Sequence, residues 1–270
     1  MAGLTFTARI SSTIISLRQP PGVGRLGRRS AVKALVTGAS TGLGRAIAER
    51  LAADGYETWI HYRSKEDEAR ALLTEVEDAG GKGRLVCFDV SDEDEVSRVL
   101  TPMLSEHGPL DVLVNNAGVT ANSYMMMQPA REWNEVMSVN LGGFFLVTRA
   151  CLKGMIGEKS GRIVNVGSLA GERGNIGQVA YAASKAGLAG ATRALALEVA
   201  RWNILVNAIS PGPLDVGMAA DLDLSKIEPQ IPLGRVGRAR EVAGVVSFLC
   251  SKDSTYMTGQ VVSVNGGMGL

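Results

Sequence analysis

Short apolar runs alternate with longer amphipathic segments along most of this chain. The runs, rich in valine, isoleucine and leucine, predict buried strands, and the segments between them predict helices. One predicted helix places Val96, Leu100 and Met103 on a single face, and Ser91 with Asp94 is predicted to cap it. The predicted strands lie within residues 31–38, 57–64, 83–90, 110–118 and 161–168.

This alternation indicates the fold class. Strand–helix–strand units predict an α/β protein with a single Rossmann-type, doubly wound parallel sheet and helices on both faces. Ligands of such sheets lie beyond the carboxyl ends of the strands. Gly38, Asp89, Asn115 and Ser168 all fall at such ends, so we expect them to border one crevice.

The turn after the first predicted strand is rich in glycine. Gly38, Gly42 and Gly44 form the pattern TGxxxGxG, and the helix that follows contains Ile47 and stops at Gly55. Glycines let the backbone approach a pyrophosphate, and a helix N-terminus favours its negative charge. The pattern predicts a dinucleotide site, although glycines at such a turn also serve packing alone. No GK[ST] sequence follows, which excludes a P-loop.

The end of the second predicted strand is the place where a dinucleotide site distinguishes NAD from NADP. Its residues are His61, Tyr62, Arg63 and Ser64, without a carboxylate that would bind the ribose hydroxyls and repel a 2′-phosphate. A guanidinium binds phosphate through charge-assisted hydrogen bonds. The sequence therefore favours NADP, with the alternative that Arg63 is only a solvated surface charge.

A serine, a tyrosine and a lysine suggest proton-transfer chemistry. Ser168 ends a predicted strand, and Tyr181 and Lys185 lie four residues apart on the predicted helix 181–200, which places them on one face. A nearby ammonium group favours the phenolate and lowers the tyrosine pKa toward the range useful for acid–base catalysis. Tyrosine and lysine at this spacing also occur by chance in many helices.

Composition narrows the class of protein. The chain has 270 residues, 46% of them hydrophobic, and a formal net charge of +1, which indicates neither nucleic acid nor a membrane surface as a partner. Cys87, Cys151 and Cys250 form no CxxC pair, which is typical of a reduced intracellular protein. His61 and His107 lack ligand-like spacing, so we expect no metal.

The first thirty residues differ from the rest. Residues 1–30 contain five arginines and several serines and threonines, and the first acidic residue of the chain is Glu49. This composition fits a mitochondrial or plastid transit peptide, or an over-extended start before a cytoplasmic protein. We therefore expect residues 1–30 to be a disordered or dispensable extension and residues 31–270 to be the dinucleotide-binding catalytic domain.

Several short sequences together resemble one family. They are TGASTGLG, NNAG at 115–118, SVNLGG with Asn140, Ser168, YAASK and the PG at 211–212. From about residue 31 to the C-terminus the chain is similar to the short-chain dehydrogenase/reductase family.

The resemblance implies a role for each matching residue. Tyr181 would donate the proton in reduction, Lys185 would lower its pKa and bind the nicotinamide ribose, Ser168 would position the carbonyl, and Asn140 would support a proton-relay water. The implied NADP(H) ligands are Gly38, Ser40, Thr41, Gly42, Leu43, Gly44, Tyr62, Arg63, Ser64, Asp89, Val90, Asn116, Ala117, Gly118, Tyr181, Lys185, Pro211, Gly212 and Leu214.

Within the family, the phrases GRIVNVGS and TGQVVSVNGGM look most like 3-oxoacyl-[acyl-carrier-protein] reductases. This implies NADPH-dependent reduction of a 3-oxoacyl thioester, an acyl-carrier protein as partner, and a homotetramer. One alternative is a reductase or dehydrogenase of a free small ketone or secondary alcohol. Another is a dinucleotide-binding regulator without catalysis, against which the intact Ser168, Tyr181 and Lys185 argue.

Three features depart from the family pattern or extend it. Val216 stands where the family usually has a threonine that binds the nicotinamide carboxamide. Met125, Met126 and Met127 would line an acyl channel, or fill a core or an interface. A basic patch for an acidic carrier would need cations near the site mouth, for which the candidates are Lys159, Arg162 and Arg201.

Overall fold

A computed structural model describes residues 32–216 and 224–270. These residues form one seven-stranded sheet in the order β3-β2-β1-β4-β5-β6-β7, and every pairing is parallel. The predicted α/β class and parallel sheet are confirmed. The extension predicted for residues 1–30 lies outside the described residues and stays a prediction.

The strands are short and follow the apolar runs of the sequence. They are β1 (Lys33–Val36), β2 (Glu57–Tyr62), β3 (Lys82–Cys87), β4 (Val112–Asn115), β5 (Gly161–Val166), β6 (Ile204–Pro211) and β7 (Val261–Val264).

Helices connect the strands. They are α1 (Gly42–Ala53), α2 (Glu66–Asp78), α3 (Glu93–His107), α4 (Ala130–Met137), α5 (Gly143–Glu158), α6 (Ala170–Arg173), α7 (Val179–Val199), α8 (Leu224–Ile227) and α9 (Ala239–Cys250). A π-helical turn, Ser138–Gly142, joins α4 to α5.

Each face of the sheet is covered by its own apolar layer. Along β1, Ala34 and Val36 pack into a cluster with α1, α2 and α9, whereas Leu35 packs into a second cluster with α3, α5 and the end of α7. Successive side chains of a strand point to opposite faces, so a continuous apolar run can serve two layers. This explains why the central strands lack the alternation of a half-exposed sheet.

The order of strands reverses between β1 and β4. β1 pairs with β2 on one side and with β4 on the other, so the connections leave in opposite directions from this point. The glycine-rich turn follows β1, and residues 116–118 follow β4. The predicted crevice therefore lies at the switch point of the sheet.

The cap of α3 differs from the prediction. Asp92, rather than Ser91, is the N-cap and accepts a hydrogen bond from the Glu95 backbone N–H. Ser91 instead donates its backbone N–H and its hydroxyl to Asp89. Adjacent serine and aspartate residues are both good caps, and the neighbouring Asp89 carboxylate decides between them.

Two helix-to-strand turns use left-handed residues. Lys159 follows α5 with a φ of 52°, and Asn203 precedes β6 with a φ of 56°. Within the described ranges these are the non-glycine residues with positive φ. Both lie at the amino edge of the sheet, opposite the crevice.

The helical stretch Ala130–Glu158 is long and apolar enough, by length and composition, to cross a membrane. Val147, Cys151 and Met155 within it are buried against the sheet. The same composition is expected of a core helix in a folded domain, and that is how the stretch is packed.

Candidate active site

Ser168, Tyr181 and Lys185 come together at the carboxyl edge of the sheet. Ser168 lies two residues beyond β5, and the other two lie on the first turns of α7. Lys185 Nζ lies 5.7 Å from the centroid of the Tyr181 ring and donates a 2.8 Å hydrogen bond to the Val166 carbonyl. Tyr181 and Lys185 are both buried, so the fold brings the predicted trio together in a site with little water.

Burial sets the protonation of this pair. It raises the pKa of the Tyr181 phenol, and a side-chain hydrogen bond with Ser168 acts in the opposite direction. Burial also lowers the pKa of Lys185 to about 8. The phenol pKa thus moves the other way from the sequence prediction, because desolvation disfavours both the phenolate and the ammonium.

Asn140 lies in the π-helical turn between α4 and α5. Its Oδ1 accepts a hydrogen bond from Val119 N, and its Nδ2 donates to Val119 O and to Ser184 Oγ. The Asn140 side chain therefore fixes the segment after β4 against α7. π-Helical turns often occur at functional sites.

A small cavity lies beside these residues. It has a volume of about 10 Å³ and is lined by Thr37, Asn115, Ala117, Asn140 and Lys185, among others. A volume of this size holds one water. Asn115 Oδ1 is buried without a hydrogen-bond partner among the described residues, and a water in the cavity is the kind of partner that such an atom requires.

The glycine-rich turn is tightly packed against β4. Gly38 has a φ of +63°, and a Cβ added to Gly44 would lie 2.1 Å from Gly38 O. Asn116 Nδ2 donates hydrogen bonds to the carbonyls of Thr37 and Gly38. Side chains at these glycines would displace the backbone, so the turn can hold this path only with glycine.

The N-terminus of α1 suits an anionic group. Thr41 is its N-cap, yet makes no side-chain capping hydrogen bond, and the first turn of α1 contains no acidic residue. The first turns of α2 and α3 each contain three acidic residues. Of these three helices, α1 alone offers uncapped N–H donors without nearby carboxylates, which fits a pyrophosphate.

The cation predicted for a 2′-phosphate lies at the expected edge. Arg63 follows β2, its side chain is 54% exposed, and its Nη1 lies 3.4 Å from Asp89 Oδ2. Burial acts to raise the Asp89 pKa, but hydrogen bonds from Ser91 and the charge of Arg63 outweigh it, and the pKa is lowered. A surface pair at this distance is weak, so Arg63 remains available to a second anion.

The other predicted cofactor residues lie along the same edge. Ser40, Thr41, Gly42 and Leu43 form the turn and the start of α1. Tyr62 ends β2, Ser64 follows Arg63, Val90 follows β3, Ala117 and Gly118 follow β4, and Pro211, Gly212 and Leu214 lie at the end of β6 or just beyond it. The residues thus fit a dinucleotide along the carboxyl edge.

Val216 lies at the end of the described part of this loop. It is partly buried and packs against the cluster formed with α1, α2 and α9. A valine side chain has no hydrogen-bond donor, so it cannot take the part of the family's threonine. The segment 217–223 lies outside the described residues.

The three methionines do not fill the core. Met125, Met126 and Met127 form a short 3₁₀ turn after β4 and are 64%, 93% and 72% exposed. Residues in a loop beyond a strand end are covered only where a further element lies over them, and none covers this turn within the described chain. Core filling is therefore wrong, while an acyl channel and an interface stay open as predictions.

The proposed basic patch is not at this mouth. Lys159 follows α5, Arg162 is the second residue of β5, and Arg201 lies just before β6. A connection from a helix into a parallel strand ends at the amino edge of the sheet, so these cations lie at the far edge from Ser168. Within one chain the expected position near the site mouth is wrong.

His61 is not among the site residues that the sequence predicts. It is buried in β2, and its two ring nitrogens contact Gly38 N and Phe88 O. The available signal was a lone histidine in a largely buried strand, just before the cofactor edge. Among the described residues, no group of three His, Cys, Asp or Glu side chains could hold a metal ion.

Known proteins resemble this chain over most of its length. A family model described as enoyl-(acyl carrier protein) reductase matches residues 38–269. The 3-oxoacyl-[acyl-carrier-protein] reductases of Aquifex aeolicus (strain VF5) and Escherichia coli (strain K12) are 44% and 42% identical over 238 residues, which is 87% of this chain and 96% of each relative. The 3-oxoacyl-[acyl-carrier-protein] reductase of Synechocystis sp. (strain ATCC 27184 / PCC 6803 / Kazusa) is 41% identical over 236 residues.

Proposed function

The chain belongs to the short-chain dehydrogenase/reductase family, and from that membership we propose that it reduces a 3-oxoacyl thioester to the 3-hydroxyacyl thioester with NADPH. The reaction belongs to fatty-acid or related acyl-chain synthesis. The observation that carries the proposal is the convergence of Ser168, Tyr181 and Lys185 beside the glycine-rich turn. An intact acid–base trio also argues against a regulator without catalysis.

Each residue of the trio has a distinct task. Tyr181 donates its hydroxyl proton to the substrate oxygen, and Ser168 donates a hydrogen bond that aligns this oxygen. Lys185, held by the Val166 carbonyl, places a positive charge near the phenol and replaces the burial cost of a phenolate with attraction. Asn140 borders the cavity, which has room for one water, and a water there would return a proton toward Lys185.

The dinucleotide fits the carboxyl edge of the sheet. The uncapped N-terminus of α1 and the turn at Gly38 would hold the pyrophosphate, and Arg63 would bind the 2′-phosphate. Asp89 would lie near the adenine, and residues 116–118 with Pro211 and Gly212 would border the nicotinamide half. When bound, the nicotinamide supplies the hydride.

The geometry favours reduction at oxygen over reduction of a carbon–carbon double bond. In carbonyl reduction the proton is delivered to the oxygen, and the hydroxyls of Ser168 and Tyr181 form a pair suited to that atom. The family model carries an enoyl reductase description, whereas the curated relatives at 40–44% identity carry the 3-oxoacyl name. The proposed function is therefore reduction of the 3-oxoacyl group.

An acyl-carrier protein is the proposed bearer of the substrate, since the relatives are named for it. A homotetramer is proposed with it. Phe145 on α5 and Leu197 on α7 are 53% and 86% exposed, and a contact between subunits would cover them. The three cysteines are free thiols, which supports a reducing, cytoplasmic location.

One assay tests the reaction and the carrier together. Consumption of NADPH and of NADH would be followed with acetoacetyl thioester on an acyl-carrier protein and on coenzyme A, with crotonyl thioester as the enoyl control. Faster turnover of NADPH with the carrier-bound acetoacetyl group is expected. Turnover of free ketones alone would assign a small-molecule reductase, and turnover of crotonyl thioester alone would assign an enoyl reductase.

A further inference from the structure

His61 is a buried histidine with both ring nitrogens engaged. It lies near the end of β2, only 2% exposed. Gly38 N donates a hydrogen bond to Nδ1 at 2.9 Å, and Nε2 lies 2.9 Å from the Phe88 carbonyl. A backbone N–H can only donate and a carbonyl can only accept, so the ring is neutral with its proton on Nε2.

The surroundings favour this neutral form. The imidazole packs against the Phe88 ring, with centroids 4.2 Å apart. Burial lowers the pKa of His61 to about 4, while Phe88 O and the charge of Asp89 act in the opposite direction. The same tautomer therefore persists throughout the neutral pH range.

Both backbone polar groups of Gly38 are held by hydrogen bonds. Its N–H bonds to His61 Nδ1, and its carbonyl accepts a hydrogen bond from Asn116 Nδ2 at 3.1 Å. The next amide, Ala39 N, donates to the His61 carbonyl at 2.8 Å. The histidine thus secures the first glycine of the turn with its ring and the following residue with its backbone.

The backbone at Gly38 needs such support. Gly38 has a φ of +63°, and glycine loses more conformational freedom on folding than any other residue. An unanchored glycine peptide at this point could rotate and misdirect the turn that leads to the α1 N-terminus. A hydrogen bond that already fixes this glycine in the free protein reduces the conformational entropy that is lost when a ligand binds.

We propose that His61 is a positioning residue for cofactor binding. By binding the Gly38 N–H, it holds the Thr37–Gly38 peptide in the orientation that a dinucleotide pyrophosphate requires. The proposal rests on the function proposed above. Through Nδ1, His61 affects the affinity of the site for the dinucleotide. Through Nε2, it stabilises the contact between β2 and the residue that follows β3. The two nitrogens therefore have separable consequences.

Two substitutions separate the effect of Nδ1 from the effect of Nε2. In His61→Asn the side-chain carbonyl takes the place of Nδ1 and still accepts from Gly38 N, while the bond to Phe88 O is lost. In His61→Gln the amide nitrogen reaches the place of Nε2 and still donates to Phe88 O, while the acceptor for Gly38 N is lost. Both variants lose one hydrogen bond and the ring contact with Phe88, so they serve as matched controls for stability.

The measurement is the dissociation constant of NADPH for the purified full chain, by fluorescence of the reduced nicotinamide, with thermal unfolding recorded in parallel. We expect His61→Gln to weaken NADPH about 10-fold or more and His61→Asn to weaken it by no more than about 3-fold. Unfolding temperatures of the two variants should fall alike, and turnover at saturating NADPH should be retained by both.

The outcomes distinguish the two proposals. Equal NADPH affinity in the two variants, or weaker binding by the asparagine variant, would overturn the role of His61 and leave the proposed function intact. A wild-type protein that binds neither NADPH nor NADH would overturn both. If the glutamine variant does not fold, ¹⁵N NMR of the wild-type ring decides: a proton on Nδ1, or a Gly38 amide that exchanges freely, would overturn the role.

Discussion

Tyr181 and Lys185 occupy positions where a soluble domain normally places apolar side chains. Both are buried, and burial moves both pKa values away from the ionised forms. The chain therefore keeps polar groups in its interior at a cost to its own stability. Such a cost is typical of residues retained for chemistry.

Replacing Tyr181 with phenylalanine should lower turnover by about 10²-fold or more, because the proton donor is lost. NADPH affinity should change little, since the ring remains. Tyr256, which is fully exposed, offers the control Tyr256→Phe, expected to leave turnover unchanged. Wild-type turnover in the Tyr181 variant would remove the phenol from the mechanism.

Replacing Lys185 with methionine should stabilise the protein without cofactor while abolishing activity. The shift of the Lys185 pKa from 10.5 to about 8 corresponds to roughly 3 kcal/mol, and the Val166 carbonyl left without a donor costs about 1. The folded pKa is lowered, so the ammonium penalty is full below pH 8 and disappears as pH rises toward 10.5.

Urea unfolding at pH 7 and pH 10, with Lys153→Met as the exposed control, measures this effect. The gain should be larger at pH 7 than at pH 10. A methionine variant that is less stable than the wild type at pH 7 would contradict a destabilising role for the buried ammonium.

Arg63 determines the preference between dinucleotides if it binds the 2′-phosphate. Arg63→Ala should weaken NADPH by about 10-fold or more and NADH by about 2-fold at most, because one charge-assisted contact is worth more than a neutral hydrogen bond. The exposed Arg98 on α3 provides the control Arg98→Ala. An unchanged ratio of the two dissociation constants would place the phosphate contact elsewhere.

At the scale of elements, two loops beyond the sheet are joined to each other by hydrogen bonds. Ser123 N donates to Gly177 O at 2.8 Å, and Gln178 Nε2 donates to Asn122 Oδ1 at 2.7 Å. One loop follows β4, and the other leads into α7 and Tyr181. The two bonds therefore join the loop after β4 to the loop that precedes Tyr181.

Gln178→Leu should loosen the contact between these loops, because it removes the bond to Asn122 and the bond that Gln178 accepts from Asn175. We expect a rise in KM for the acyl substrate of about 3- to 10-fold, since one exposed hydrogen bond is worth about 1 kcal/mol, with kcat and NADPH affinity nearly unchanged. Gln260→Leu removes a comparable exposed amide at a distance from the site. Equal KM values in the wild type and the Gln178 variant would show that the loops are positioned without this bond.

The elements that could be predicted are those with a local cause. The apolar run around Leu35 predicts a strand, and Gly44 predicts a tight turn, from the local sequence alone. The structure contains both. The N-cap Asp92 was missed for a local reason, because Ser91 bonds to Asp89 instead of capping the helix. The π-helical turn at Asn140 depends on contacts with Val119 and Ser184, which lie far along the chain. The tautomer of His61 likewise depends on Gly38 and Phe88, which no local pattern joins to it.

Across the whole molecule, the two edges of the sheet differ in kind. The carboxyl edge collects the glycine turn, Ser168 and the first turn of α7. Lys159, Arg162 and Arg201 lie at the amino edge. A carrier that used those cations would have to serve the site of a neighbouring subunit, which links the carrier proposal to the oligomer.

In the proposed homotetramer, Phe145 on α5 and Leu197 on α7 should be covered by a neighbouring subunit. Leu197→Lys places a charge in that contact, and we expect it to lower the molar mass in sedimentation from a tetramer to smaller species. Lys252→Glu, at an exposed residue in the turn after α9, should leave the mass unchanged. A wild-type protein that sediments as a monomer would contradict the tetramer directly.

Lys159 and Asn203, at the amino edge of the sheet, adopt backbone conformations that are unfavourable for residues other than glycine. Their left-handed backbone is the conformation in which glycine is the preferred residue, so heat tolerance has not been maximised there. Changes at these turns would lie a full strand length from the reacting groups. We therefore expect substitutions at these turns to change thermal stability without changing the catalytic rate, because the turns and the candidate active site lie at opposite edges of the sheet.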